Sequence, residues 1–134
     1  MTNDLNHCFL IDDDEDDQEI FYLAVQDVDE SIRCIFANDG VLALEKLNTD
    51  QLFTPDWIFI DMNMPRMNGL QCLKAIRTID RFKHTPVFLY STYVDPMVVA
   101  ENKKLGATDF IRKPSSITEL TRILSNIFQD KMTD

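Results

Sequence analysis

At 134 residues, with 45% hydrophobic and 27% charged residues, the chain has the size and composition of one globular domain, long enough to bury a core without disulfides or a structural metal. Its 23 acidic residues against 13 basic ones give a formal net charge of −10, which repels nucleic acid phosphates and argues against direct DNA or RNA binding. Cys8, Cys34 and Cys72 lie in apolar stretches without a CxxC pair, and neither a signal peptide nor a run of about 18 apolar residues appears, so reduced core thiols, a cytoplasmic location and no membrane contact are expected.

Cys8 to Ile11 is an apolar run too short for a helix; it reads as a buried strand ending at Asp12. Ile20, Leu23, Ala24 and Val28 then recur at helical spacing. Asp14, Glu15, Asp16 and Asp17 precede them, where acids suit a helix N-terminus and a solvated face rather than metal ligation. Ser31 to Ala37 reads as the second strand, Asn38-Asp39-Gly40 as a turn and cap, and Val41, Leu44 and Leu47 mark the second helix.

Trp57 to Ile60 is a near-continuous apolar run ending at Asp61, as expected of a central parallel strand entered from a loop at Pro55. The turn residues Met64 to Gly69 follow, with Asn68 as N-cap to a third helix carrying Leu70, Leu73 and Ile76. Val87 to Tyr90 is the fourth strand; Asp95-Pro96 opens the fourth helix and Gly106 stops it. Phe110 and Ile111 lie in a fifth strand ending at Lys113-Pro114. Ser116 and Glu119 then form a capping box ahead of Leu120, Ile123, Leu124 and Ile127 in the fifth helix. Alternating strands and helices predict an α/β protein, a parallel sheet covered on both faces. One domain over residues 1–134 is expected, with its core at about 6–129 and no effector domain.

The chemistry-bearing residues share a position. Asp12 and Asp13 end the first strand, Asp61 the third, Ser91 the fourth and Lys113 the fifth. Ligands of open α/β sheets bind outside the carboxyl ends of the strands, so these residues converge on one site. Three carboxylates there need a compensating cation, and a small all-oxygen donor set favours Mg²⁺, with Mn²⁺ as a substitute. Lys113 and Ser91 complement an incoming phosphoryl group, which suggests phosphoryl transfer to a carboxylate.

Four stretches resemble the response regulator receiver domain of two-component signalling. They are Leu10-Ile11-Asp12-Asp13-Asp14, Phe59 to Gly69, Leu89-Tyr90-Ser91, and Leu105 to Pro114 with its Lys113. The resemblance spans essentially the whole chain. It implies the flavodoxin-like doubly wound fold with five helices and strand order 2-1-3-4-5. It further implies Asp61 as phosphoacceptor and Asp12, Asp13, Asp61 and the Asn63 backbone carbonyl as Mg²⁺ ligands. Lys113 and Ser91 would contact the phosphoryl group, Ser91 and Phe110 would form the switch, and the peptide before Pro114 would be cis. The implied partners are a sensor histidine kinase or phosphotransfer protein, then an output protein or a second copy docking on the face of helix four, strand five and helix five. The resemblance makes the chain a self-assisting phosphoacceptor rather than an enzyme.

Three residues depart from the family pattern: Thr92 replaces Ala or Gly beside the site, Tyr93 is placed to shield an acyl phosphate from water, and Phe110 replaces the frequent Tyr. An EF-hand counted from Asp12 would need Gly at Asp17 and Glu at Leu23, and neither is present. A dehalogenase-type phosphatase would need an acid at Asn63. The competing reading is a pseudo-receiver that binds proteins without phosphorylation; its usual mark, loss of the acceptor or a metal acid, is absent from this sequence.

Overall fold

In the computed structural model, which describes residues 6–132, the apolar runs form β1 (His7–Ile11), β2 (Arg33–Ala37), β3 (Trp57–Asp61), β4 (Val87–Ser91) and β5 (Asp109–Arg112). They make one parallel sheet in the order 2-1-3-4-5. Between and after them run α1 (Glu15–Val28), α2 (Gly40–Thr49), α3 (Gly69–Arg77), α4 (Pro96–Lys104) and α5 (Ile117–Met132), with a 3₁₀ turn at Asp80–Phe82. This is the flavodoxin-like arrangement expected from the sequence.

Side chains alternate across the sheet, so each strand feeds two cores. Phe9, Ile11, Ile58, Ile60, Val87 and Leu89 meet Ala43 and Leu47 of α2 and Cys72, Leu73 and Ile76 of α3. On the opposite face Cys8, Leu10, Trp57, Phe59 and Tyr90 meet Phe21, Ala24 and Val25 of α1 and Leu120, Leu124 and Phe128 of α5. Every residue of β3 is buried, and each of its large apolar side chains contributes roughly 1.5–3 kcal/mol relative to an exposed one. This rigid central strand is the platform that carries Asp61.

The caps follow the sequence signals. Asp14 accepts hydrogen bonds from the Asp16 and Asp17 amides at the start of α1, Asp39 caps α2, and Asn68 forms a reciprocal capping box with Gln71. Asp95 caps α4 with Pro96 at the first position, and the Glu119 amide donates to Ser116 Oγ at 3.1 Å.

The inward face of α1 differs from expectation. It is Phe21, Ala24 and Val25 with Val28 packed against them, whereas Ile20 and Leu23 are 40% and 45% exposed. The helix is rotated about one residue from the face read in the sequence, because the wholly apolar Phe21 ring takes the slot against Phe59 at a centroid distance of 5.0 Å. In α2, Val41 is likewise exposed, and Ala43 joins Leu47 inside. No cis peptide bond occurs among the described residues. The Lys113-Pro114 bond is therefore trans here, an outcome that the small energy difference between proline isomers permits.

Candidate functional site

β1, β3, β4 and β5 end at the same edge of the sheet, and the register brings their last residues together: Asp61 lies opposite Tyr90, and Ser91 opposite Arg112. The turn after β3 closes tightly over this edge. Gly69 donates its amide to the Met62 carbonyl at 3.1 Å, and a Cβ at Gly69 would come within 2.8 Å of the Asp61 carbonyl oxygen and the Met62 Cα. Only glycine lets α3 start so close to the acid.

Asp12, Asp13 and Asp61 each offer a carboxylate oxygen, and these oxygens all lie within 4.8 Å of one another. Asp12 and Asp61 are buried while Asp13 faces solvent. Mg²⁺ holds its ligands at about 2.0–2.1 Å, so ligands across an octahedron stand about 4 Å apart. Small rotations, or one water between ion and acid, fit this all-oxygen set to a single hard cation. The Asn63 amide donates to Asp61 Oδ1 at 3.1 Å, which fixes the backbone next to the cluster.

Lys113 Nζ lies 3.1 Å from Asp12 Oδ2, 2.7 Å from Asp17 Oδ2 and 3.7 Å from Asp61 Oδ2. It also sits 5.1 Å from the centre of the Tyr90 ring, a cation–π contact that steadies the side chain. Burial pushes the Asp12 carboxyl up to about 6 despite hydrogen bonding from the Asp14 amide and the nearby Lys113 charge. Asp61 is raised for the same first reason, with the Asn63 amide opposing. Burial works to lower the Lys113 ammonium, but its hydrogen bond to Asp17 and the charges of Asp12 and Asp61 outweigh it and hold the group above its usual range. One ammonium thus serves several carboxylates and leaves residual negative charge, which a divalent cation could offset.

Ser91 is 2% exposed at the end of β4, and its Oγ accepts from the Tyr93 amide at 3.3 Å. A cavity of about 190 Å³ beside it is lined by Asn63, Ser91, Tyr93, Val98 and Phe110. Phe110 is half-buried against the α2–α3 core. Tyr93 is 74% exposed, so its ring stands at the rim of this space, and Thr92 is exposed.

Two residues, Asp17 and Gln18, make contacts that the sequence did not announce. Asp17, assigned to a solvated helix start, instead makes the shortest contact of Lys113. Gln18 Nε2 donates to the Asp12 carbonyl at 2.7 Å and to Asn38 Oδ1 at 2.8 Å, tying the Asp12 backbone to the end of β2. Residues 17, 21, 24, 25 and 28 form one helical face, the one that Phe21 defines, but residues 20, 23, 24 and 28 satisfy helical spacing equally well, so periodicity alone does not single out Asp17.

The family model for the response regulator receiver domain matches residues 8–125. Among curated proteins, the Regulator of RpoS of Escherichia coli K12 is 39% identical over 94 residues, 70% of this chain and 26% of that protein. The chain thus spans about a quarter of the length of that relative. Among solved structures, the chemotaxis response regulator CheY4 of Vibrio cholerae superposes with a TM-score of 0.79 at 29% identity, covering 92% of this chain and 98% of that one. The Mn²⁺-bound form of response regulator Rcp1 shares the fold with a TM-score of 0.75 at 21% identity over 91% of each chain.

Proposed function

The chain belongs to the response regulator receiver family, and from that premise we propose that it is a cytoplasmic phosphorylation switch whose acceptor is Asp61. The observation that carries the reading is the convergence of Asp12, Asp13 and Asp61 with Lys113 at one sheet edge. Family members act with histidine kinases or phosphotransfer proteins, and such a protein is the proposed donor. An O–P bond forms at the Asp61 carboxylate as the donor P–N bond breaks, and the electron pair of that bond returns to the imidazole nitrogen.

Asp12, Asp13, Asp61 and the Asn63 carbonyl would hold Mg²⁺, which would supply charge neutralisation for the phosphoryl oxygens; Mn²⁺, present in the Rcp1 structure, would substitute. Lys113 binds a phosphoryl oxygen and orients the group. Ser91 donates its hydroxyl to another, which draws the start of the β4–α4 loop inward, and Phe110 follows into the cavity beside Ser91. The receiver thereby assists its own modification by positioning and electrostatics.

Output passes through α4, β5 and α5, to a protein partner or a second copy. Met97 is 81% exposed on α4, and a groove of about 630 Å³ between β5 and α5 includes Phe88, Phe110, Ile123 and Ile127. Among the described residues no helix is long and apolar enough to cross a membrane.

Incubation with acetyl phosphate, with and without Mg²⁺, followed by intact mass measurement tests the reading. One phosphoryl addition that needs Mg²⁺ and vanishes in Asp61→Asn is expected. Absence of the adduct, or its survival in the variant, would favour a phosphorylation-independent binding module.

A further inference from the structure

The contacts of Lys113 are uneven in an unexpected order. Its Nζ is closest to Asp17 at 2.7 Å, then Asp12 at 3.1 Å, and farthest from Asp61 at 3.7 Å. An ammonium has three N–H donors. Two of them reach oxygens of Asp17 and Asp12 at hydrogen-bonding distance, whereas Asp61 receives only a longer charge contact. The preferred partner therefore stands outside the three-acid cluster.

The placement of Asp17 is built into the fold. Asp14 caps α1, which sets Asp17 in the first turn on the inward face continued by Phe21, Ala24 and Val25. That face meets the β5 end, where Lys113 emerges with its side chain only 11% exposed. Asp16, one position earlier, is exposed, and among the described residues it forms no ion pair with Lys113. The two acids carry the same charge in the same helical turn and differ in this contact.

Resting on the phosphoacceptor reading of Asp61, we propose that Asp17 is a positioning residue that holds the Lys113 ammonium off the Asp61 carboxylate in the unphosphorylated protein and yields it to the phosphoryl group. The physical logic is a competition. An ammonium seated fully on Asp61 would repel a divalent cation bound to the same carboxylate, so drawing it towards Asp17 keeps the cluster open to metal. A phosphoryl group brings more negative charge and further acceptor oxygens to Asp61, and a single half-exposed carboxylate then loses the contest. Asp17 thus favours the metal-bound resting state and opposes the phosphorylated one.

The readouts move in opposite directions, which loosening of α1 would not produce. In Asp17→Asn, Lys113 shifts towards Asp61: Mn²⁺ binding, followed by titration, should weaken, and binding of beryllofluoride at saturating Mg²⁺ should tighten, each by about 2- to 5-fold as expected for a partly exposed pair. Asp16→Asn removes an equal charge and should leave the beryllofluoride affinity unchanged, with at most a smaller loss of Mn²⁺ affinity. Asp17→Glu, which keeps the carboxylate, should restore both readouts towards wild type. Identical behaviour of Asp17→Asn and Asp16→Asn would overturn the inference, and so would weakening of both ligands in Asp17→Asn. In both cases beryllofluoride binding by the wild type leaves the phosphoacceptor reading standing. A wild-type protein that binds no beryllofluoride would overturn that reading and this inference together.

Discussion

The two ends of the sheet are built on opposite principles. At the carboxyl ends of the strands, acids crowd together in a partly buried cluster, and burial raises Asp12 and Asp61 above the ordinary carboxylate range. At the opposite end, where the chain enters β3, β4 and β5, two arginines tie loops by their backbone carbonyls. Arg77 donates to Gly106 O at 2.7 Å, Phe82 O at 2.7 Å and Thr85 O at 2.7 Å. Arg81 donates to Leu47 O at 2.9 Å and Phe53 O at 3.2 Å. Gly106, at φ 112°, completes the arrangement, since a Cβ there would press on the Arg77 side chain at 3.1 Å. One end clamps the entering loops through guanidinium-to-carbonyl bonds and holds the fold, although Arg81 Nε itself finds no partner there; the other gathers several acids around a single ammonium.

Substitutions at the two ends should therefore shift stability with opposite signs. Arg77→Ala strands several carbonyls of the entering loops and should cost about 3 kcal/mol in denaturant unfolding while leaving Mg²⁺ affinity intact. Loss of metal binding in the folded variant would break the contrast. Asp12→Asn removes a carboxylate whose ionisation is unfavourable in the fold. It should stabilise the metal-free protein at neutral pH by about 1–3 kcal/mol and abolish Mg²⁺ binding. A destabilised Asp12→Asn would mean that Lys113 depends on Asp12 more than burial penalises it.

The same contrast predicts a pH dependence. Asp12 holds its proton more tightly in the folded chain than in the unfolded one, so its contribution to stability is fully present below the ordinary value of 3.8 and is lost as pH rises through about 6. Metal and proton compete for this carboxylate, so Mg²⁺ affinity should rise across that window and level off above it; calorimetric titrations at several pH values would show this. A flat profile would place the metal away from Asp12. The smallest effect belongs to the exposed rim: Tyr93→Ala should change the lifetime of the phosphorylated form by no more than about twofold. A larger change would bring the ring over the acceptor.

Much of this was legible in the sequence. Short apolar runs ending in Asp12, Asp61 and Ser91, each followed by an amphipathic segment, specify both the sheet and which of its ends holds the polar residues. Asn68, Asp95 and Ser116 could be read as caps because capping is local. The orientation of α1 could not be read, since Ile20, Leu23 and Ala24 satisfy helical spacing as well as Phe21, Ala24 and Val25 do; the choice is made by how the helix docks on Phe59. Misplacing that face also hid Asp17, which meets Lys113 across 96 positions of sequence. The clamps of Arg77 and Arg81 had no signal, because their acceptors are backbone carbonyls that any residue supplies. The ion pair of Arg66 with Asp39 had none either, since it joins the β3–α3 turn to the start of α2 only once the sheet has formed.

The central claim concerns one carboxylate. Borohydride reduction after exposure to acetyl phosphate and Mg²⁺ converts an aspartyl phosphate to homoserine, and peptide mass spectrometry then locates it. Homoserine at position 61, and at no other aspartate, only when Mg²⁺ was present, is the result predicted. Homoserine at Asp12, Asp13 or Asp17, or at no position, would contradict the assignment of Asp61 as the acceptor.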